Sequence, residues 1–405
     1  MRTQRSATAR MPLAVYTLTL GIFCIGTSEF MFVGLLPQLA SSLQVSISAA
    51  GYLVSLFAIG MVIGSPLMAV VTLKIPRKRT LLAACAVFAA AHAAVLFIDN
   101  YPAIVALRII AALACATYWA IGAVLAVENA PAGRTAEALA MLIGGLTLAN
   151  VIGVPIGTWI GGPLGWRASF FAVAACTVVC ALAIKVLVVD EAPKNDVPLK
   201  SLVKTESAAF KNPAVWLALA TTALSQAGIF CAFTYLVPVL LEVSGIPESL
   251  IPAVLLAFGL GSLLGVMVGG RLADNDPKAT LLGGLTCLAV VVLLLILVAR
   301  QPVGEAVAVF AFGAAAFSIG GALNARVFHL ASGAPTLAAA VNVSAFNIGN
   351  TLGPALGGAL LSRGWGWSAP LWAALGLVIA TIGVALWAHK AADSRTLAAK
   401  ADRTG

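Results

Sequence analysis

Long apolar runs separated by short polar loops make up most of the chain. Twelve runs reach the roughly 20 mostly apolar residues that one helix needs to cross a bilayer. They fall at about 12–36, 48–72, 80–98, 103–127, 137–162, 167–189, 213–241, 248–272, 279–299, 304–330, 335–361 and 367–389. Pro and Gly occur inside several of them, which membrane helices tolerate because neighbouring helices satisfy the freed backbone groups. The pattern predicts an all-α membrane protein with twelve transmembrane helices.

Composition agrees. Of 405 residues, 61% are hydrophobic and 10% charged, against about 25% charged in soluble domains. A net charge of +9 on a soluble protein would suggest nucleic acid. Here the basic residues lie between the apolar runs, so they report topology. With the N-terminus inside, the cytoplasmic segments hold Arg2, Arg5, Arg10, Lys74, Arg77, Lys78, Arg79, Arg134, Lys194, Lys200, Lys204, Lys211, Arg271, Lys278, Lys390, Arg395, Lys400 and Arg403. The external loops hold only Arg167, Arg300 and Arg363. That bias predicts a multi-pass protein of a bacterial inner membrane with both termini cytoplasmic. The first apolar run outlasts the roughly 7 to 15 residues of a signal-peptide core, so it is expected to stay as the first span.

The longest polar segment, DEAPKNDVPLKSLVKTESAAFKN at 190–212, divides the chain into bundles at 1–189 and 213–405, the latter including a cytoplasmic tail. The halves repeat. Gly60, Gly64 and Pro76 align with Gly261, Gly265 and Pro277. NVIGVPIG at 150–157 aligns with NTLGPALG at 350–357. The shifts, 201 and 200 residues, are nearly equal, as a true repeat requires. Two parallel six-span repeats are a transporter architecture.

Several motifs carry a resemblance. GGRLADNDPK between spans eight and nine is close to a G-x-L-a-D loop, with Asp274 in the acidic place, while the first-half counterpart AVVTLKIPRKR has Leu73 there. ALRIIAALACA holds Arg108 in an R-x-x-x-G-like setting with Ala in place of Gly, and GVPIGTWIGG looks like the G-P-x-x-G-G motif of antiporters. With GTSEFMFVGLLPQLA and LTLANVIGVPIGTWIGGPLGWRASF, the chain resembles the major facilitator superfamily over essentially its whole length. It is most similar to the drug:proton antiporters of chloramphenicol-resistance and arabinose-efflux type. The resemblance implies two pseudo-symmetric six-helix bundles and export by alternating access.

Among fifteen acidic residues only Glu29 lies well inside a predicted span. A central acid costs about 2.5 to 3.5 kcal/mol on insertion scales, so such residues usually mark pathways. A carboxyl that alternates between neutral and charged can couple protons to transport. Arg108 on span four is its natural partner, at a depth of roughly 8 to 12 Å on both helices at 1.5 Å per residue. The alternative is a static ion pair that fixes two helices.

Phe32 shares a face with Glu29, Cys115 and Trp119 share one with Arg108, and Gln226, Phe230 and Phe233 form a stripe on span seven. With Asn324 on span ten, these are candidates to contact an uncharged or weakly polar organic substrate, although such stripes are more often packing. Glycines spaced by four, including Gly153, Gly157, Gly353 and Gly357, allow close helix approach. The resemblance gives them a role in rocking between the halves, and static packing is the alternative. Pro155 and Pro354 are expected to kink their helices.

Signals for enzymology are absent. His92, His329 and His389 are scattered, the seven cysteines form no CxxC pair, and no P-loop occurs. No cofactor or metal is called for. The expected protein is a proton-coupled exporter of small organic molecules, a drug such as chloramphenicol first among them. A sugar or metabolite exporter of the same build is the alternative, and a non-transporting scaffold or receptor the alternative of another class. Its partners would be substrate, protons and lipid, with no nucleic acid, and it would act as a monomer.

Overall fold

In the computed structural model the described residues are 11–71, 75–131, 134–189, 210–331 and 334–404, and no strand occurs among them. The helices are α1 (Leu13–Ser42), α2 (Ile47–Val71), α3 (Arg77–Ala94), α4 (Tyr101–Asn129), α5 (Thr135–Leu148), α6 (Val154–Leu164), α7 (Trp166–Leu187), α8 (Pro213–Thr234), α9 (Leu236–Glu242), α10 (Ile251–Asn275), α11 (Pro277–Val298), α12 (Pro302–Ser318), α13 (Gly320–Leu330), α14 (Pro335–Ser362) and α15 (Ala369–Thr404). Taken singly or as consecutive pairs, eleven stretches are long and apolar enough to cross a membrane. The 28-residue α14 is a twelfth of sufficient length. The fold is all-α, with the twelve predicted spans. The segment 190–209, most of the expected linker, lies outside the described residues.

Three spans are interrupted where the sequence pattern reads as continuous. Between α5 and α6 the backbone widens into a π-helical stretch at Ala149–Gly153. Pro155 follows it, and a proline has no N–H for, and clashes with, the carbonyl four residues back, here Val151. Pro238 does the same to Thr234, where α8 ends at Tyr235 before α9. The break between α12 and α13 at Ile319 precedes the pair Gly320–Gly321. Pro354 leaves α14 continuous, so the expected kink appears as a break only at Pro155. Helix starts follow capping chemistry. Asn100, Asn212 and Asp276 accept from backbone N–H groups two or three residues on, ahead of a proline in the first turn of α4, α8 and α11.

The chain forms two compact units, Met1–Asp196 with Pro247–Gly259, and Val197–Ile246 with Leu260–Gly405. The core of the first holds Phe32, Phe57, Phe88, Phe170 and Tyr118, and that of the second Tyr235, Phe233 and Phe312. Large apolar side chains such as Leu182, Val186 and Leu297 remain exposed, as lipid-facing surfaces require.

The glycine stripes act within each unit. A methyl group at Gly261, Gly265 or Gly269 would collide with the carbonyl oxygens of Phe310, Ala314 and Ser318 on α12. One at Gly349, Gly353 or Gly357 would collide with Ala223, Ala227 or Tyr235 on and just after α8. Gly153, Gly157 and Gly161 face Thr27, Met31 and Leu35 on α1. Each of these glycines brings its helix close against another of its own unit.

Candidate functional site

Four helices of the first unit converge on one buried cation. Arg108 on α4 is 3% exposed. Its guanidinium lies between two phenyl faces, 3.9 Å from the ring centre of Phe32 on α1 and 4.2 Å from that of Phe57 on α2. Such stacking suits the planar, weakly hydrated guanidinium better than it would a lysine ammonium. Arg108 Nη1 reaches Ser28 Oγ at 3.4 Å. Ser28 Oγ lies 2.5 Å from His92 Nε2, and His92 Nδ1 lies 2.8 Å from the Phe88 carbonyl oxygen.

The direction of this chain follows from what each end can do. The guanidinium only donates and the Phe88 carbonyl only accepts. So Nδ1 of His92 carries the proton, its Nε2 accepts from the Ser28 hydroxyl, and the hydroxyl oxygen accepts from Arg108. His92, 2% exposed and packed 4.1 Å from the Phe88 ring centre, is a neutral acceptor at the end of the chain. Its place on α3 is fixed by Phe88 one turn earlier and by Phe170 of α7 at 5.7 Å.

Glu29 stands beside this cradle. It is half-buried and within electrostatic reach of Arg108. Among the described residues no ion pair or hydrogen bond closes on its carboxylate. Arg108 keeps two buried nitrogens, Nε and Nη2, without hydrogen-bond partners. The acid and the cation therefore feel each other without being locked together. α1 runs to Ser42, six residues beyond the predicted limit, which places Glu29 deeper along its helix than the sequence suggested.

The other candidates divide. Phe32 and Cys115 have no exposed surface, and Phe233 and Phe230 are 2% and 6% exposed. Phe32 is a wall of the Arg108 cradle, and Phe230 packs edge-on against Phe233 with centres 6.0 Å apart. Trp119 and Gln226 are partly exposed. Asn324 is exposed, and its amide is in use: Nδ2 donates to the Gly320 carbonyl at 2.9 Å and Oδ1 accepts from Asn342 Nδ2 at 2.7 Å. Asn342 Oδ1 in turn accepts from Thr222 Oγ1 at 3.3 Å, so α8, α13 and α14 share a neutral polar network. Asp274 is exposed near the end of α10, where the neighbouring Asp276 caps α11.

Three residues escaped the sequence reading. Ser28 carried no signal of its own in the sequence, and His92 was one of three scattered histidines. Glu305, in the first turn of α12, looked like a span-end acid, yet it has no exposed surface and neither carboxylate oxygen has a partner.

Residues 18–344 match the family model of the Major Facilitator Superfamily. The chain belongs to the major facilitator superfamily. This superfamily member is 39% identical over 374 residues to the chloramphenicol resistance protein of Streptomyces lividans, covering 91% of this chain and 94% of that protein. It is 37% identical over 351 residues to the inner membrane transport protein YdhP of Escherichia coli, covering 87% and 89%. A solved structure of the nucleoside transporter NupG superposes with a TM-score of 0.75 at 14% identity, over 94% of this chain and all of that one, which speaks for the fold alone. The chain is thus a multi-pass membrane transporter of the superfamily and not an enzyme.

Proposed function

We propose that this transporter exports small organic molecules in exchange for protons, with Glu29 as the proton-carrying acid and Arg108 as the group that sets its affinity. The observation that carries the reading is the open arrangement of the pair. Arg108 is held by Phe32, Phe57 and Ser28 rather than by the carboxylate. Glu29 can therefore gain or lose a proton without breaking a salt bridge, while its charge still acts on the cation beside it. An intramembrane acid that alternates in this way supplies the minimum part for coupling.

Chloramphenicol is the first substrate to test, because the Streptomyces lividans relative is named for resistance to it. Trp119 and Gln226 keep surface available for substrate, and Phe32 also supports Arg108. The bias of basic residues supports cytoplasmic termini and a bacterial inner membrane, and the polar segment at 190–212 supports two six-helix bundles that alternate access as a monomer.

The test is Glu29→Gln, which removes the charge and keeps the shape. In everted vesicles energised by a proton gradient, wild-type protein should export chloramphenicol in a protonophore-sensitive way. The variant should insert and fold as wild type and lose proton-driven export. Undiminished export by Glu29→Gln would end the coupling proposal, whereas a panel of dyes and quaternary ammonium compounds decides the cargo.

A further inference from the structure

We propose that Glu305, in the second unit, is a second proton-binding site of this transporter, one that the Glu29 reading neither uses nor requires. The argument is geometric. Glu305 lies in the first turn of α12, its backbone N–H donating to the Gln301 carbonyl at 2.8 Å. Its side chain has no exposed surface, and both oxygens lack a hydrogen-bond donor. The same end of the unit holds the buried Val292, Leu295 and Ala299 on and just after α11, and Ala308 and Val309 on α12 itself.

Among the described residues no cation is placed to compensate a carboxylate there. Gly261, Gly265 and Gly269 of α10 lie along Phe310, Ala314 and Ser318 of α12, so the two helices run side by side in the same direction. Arg271 and Asp274 of α10 therefore sit toward the far end of α12. By position along their helices, Arg326 and His329 of α13 lie more than 20 residues further on, and Lys278 of α11 lies at that helix's opposite end. At 1.5 Å per residue each is roughly 25 to 35 Å from Glu305 along the helix axes. Cys287, midway along α11, is exposed, and Arg300, in the turn before α12, is an exposed residue.

A buried acid with neither cation nor donor is held as the neutral carboxylic acid. It can ionise only when the surrounding helices part and water reaches it. The step is a simple one: the Glu305 O–H bond breaks, the electron pair stays on the carboxylate, and the proton leaves to water at the start of α12. That exit is close, since Glu305 is only three residues from Pro302, about 5 Å at 1.5 Å per residue. Glu305 thus binds a proton when the second unit is closed around it, as here, and releases it when that end opens. A transporter with acids in both units can carry one proton in each.

Infrared difference spectroscopy of the purified full chain during a pH titration tests this without any knowledge of the cargo. A carboxylic-acid carbonyl band should disappear as the pH is raised, in wild type and in Glu29→Gln, and Glu305→Gln should lack it. A Glu305→Gln spectrum identical to wild type overturns the proposal. So does a Glu305 band that persists at every pH at which the protein stays folded, since the group is then a fixed packing residue. Should Glu305→Gln fail to fold, labelling of wild type with a hydrophobic carbodiimide replaces it. The peptide containing Glu305 should be modified at neutral pH and protected at alkaline pH, and an unmodified peptide overturns the inference. Loss of export in Glu29→Gln decides the Glu29 reading separately.

Discussion

In the first unit a guanidinium is buried between two phenyl rings and tied through a serine to a histidine. Carrying the repeat shift of 200 or 201 residues to the second unit replaces Arg108 by Ala308 or Val309, Glu29 by Ile229 or Phe230, and His92 by Val292 or Leu293. What the second unit holds instead is a neutral network, the buried Thr222 and Asn342 reaching the exposed Asn324, and a buried acid without a partner, Glu305. One repeated helical frame thus carries two kinds of polar interior. The charge of the first unit needs four helices to hold it, whereas amides and a hydroxyl satisfy one another in the second. The lesson is that the frame is indifferent to charge, and the cradle is what makes charge tolerable.

Transplanting the cation without its cradle gives the largest effect. Val309 has no exposed surface, and the buried Glu305 stands one turn before it on α12. Val309→Arg made together with Glu305→Gln, so that the acid one turn earlier cannot pair with it, would bury a guanidinium without the phenyl pair, the serine or the acid that attend Arg108. The effective penalty for an uncompensated buried ion is several kcal/mol, a large part of a domain's stability. The expected outcome is loss of the monodisperse protein in size-exclusion chromatography, or a thermal midpoint far below wild type. A variant as stable as wild type would break the comparison, because the frame itself would then be accommodating the charge.

A smaller step sharpens it within the first unit. Arg108→Lys keeps the charge and removes the planar group that Phe32 and Phe57 flank. Each cation–ring contact at a desolvated site is worth about 1 to 2 kcal/mol, part of which an ammonium recovers. Stability should fall by about 1 to 2 kcal/mol in thermal unfolding. An unchanged midpoint would show that the rings merely fill space around the cation.

How much of this was legible follows from what each residue costs. Glu29 and Arg108 stood out because charge within an apolar run is expensive wherever it falls, and a one-dimensional pattern records that. The twelve spans were legible for the same reason, and Pro155 marked the place where span five widens. Glu305 was hidden because its position near a span end suggested contact with water, and only the three-dimensional packing shows that water is excluded. Ser28 and His92 were hidden because a hydroxyl and an imidazole are cheap in isolation. Their meaning lies in a contact between residues 64 positions apart. The glycine stripes were visible as stripes, but which helix each one faces depends on packing. The breaks at Tyr235 and Ile319 had only Pro238 and the Gly320–Gly321 pair as signals, and apolar runs tolerate both residue types without breaking.

The smallest expected effect sets the two polar networks against each other. Asn342→Ala deletes the amide that joins Thr222 to Asn324. The hydroxyl of Thr222 retains a bond of 3.2 Å to the Ala218 carbonyl, and Asn324, being exposed, can turn to water. Each lost hydrogen bond is worth about 1 kcal/mol, less where water replaces the partner. A loss of about 1 kcal/mol or a little more is expected. Ser28→Ala deletes one hydroxyl but strips Arg108 of its hydrogen bond and leaves His92 Nε2 without a donor, both on side chains only 2 to 3% exposed and so largely shut off from water. Unsatisfied buried groups cost about 1 to 3 kcal/mol each, more when charged. The serine variant should therefore melt at the lower temperature although it loses the smaller side chain. If the order is reversed, the chain from Arg108 through Ser28 to His92 is not what makes the buried cation tolerable, and the stacking of Phe32 and Phe57 must account for it without help.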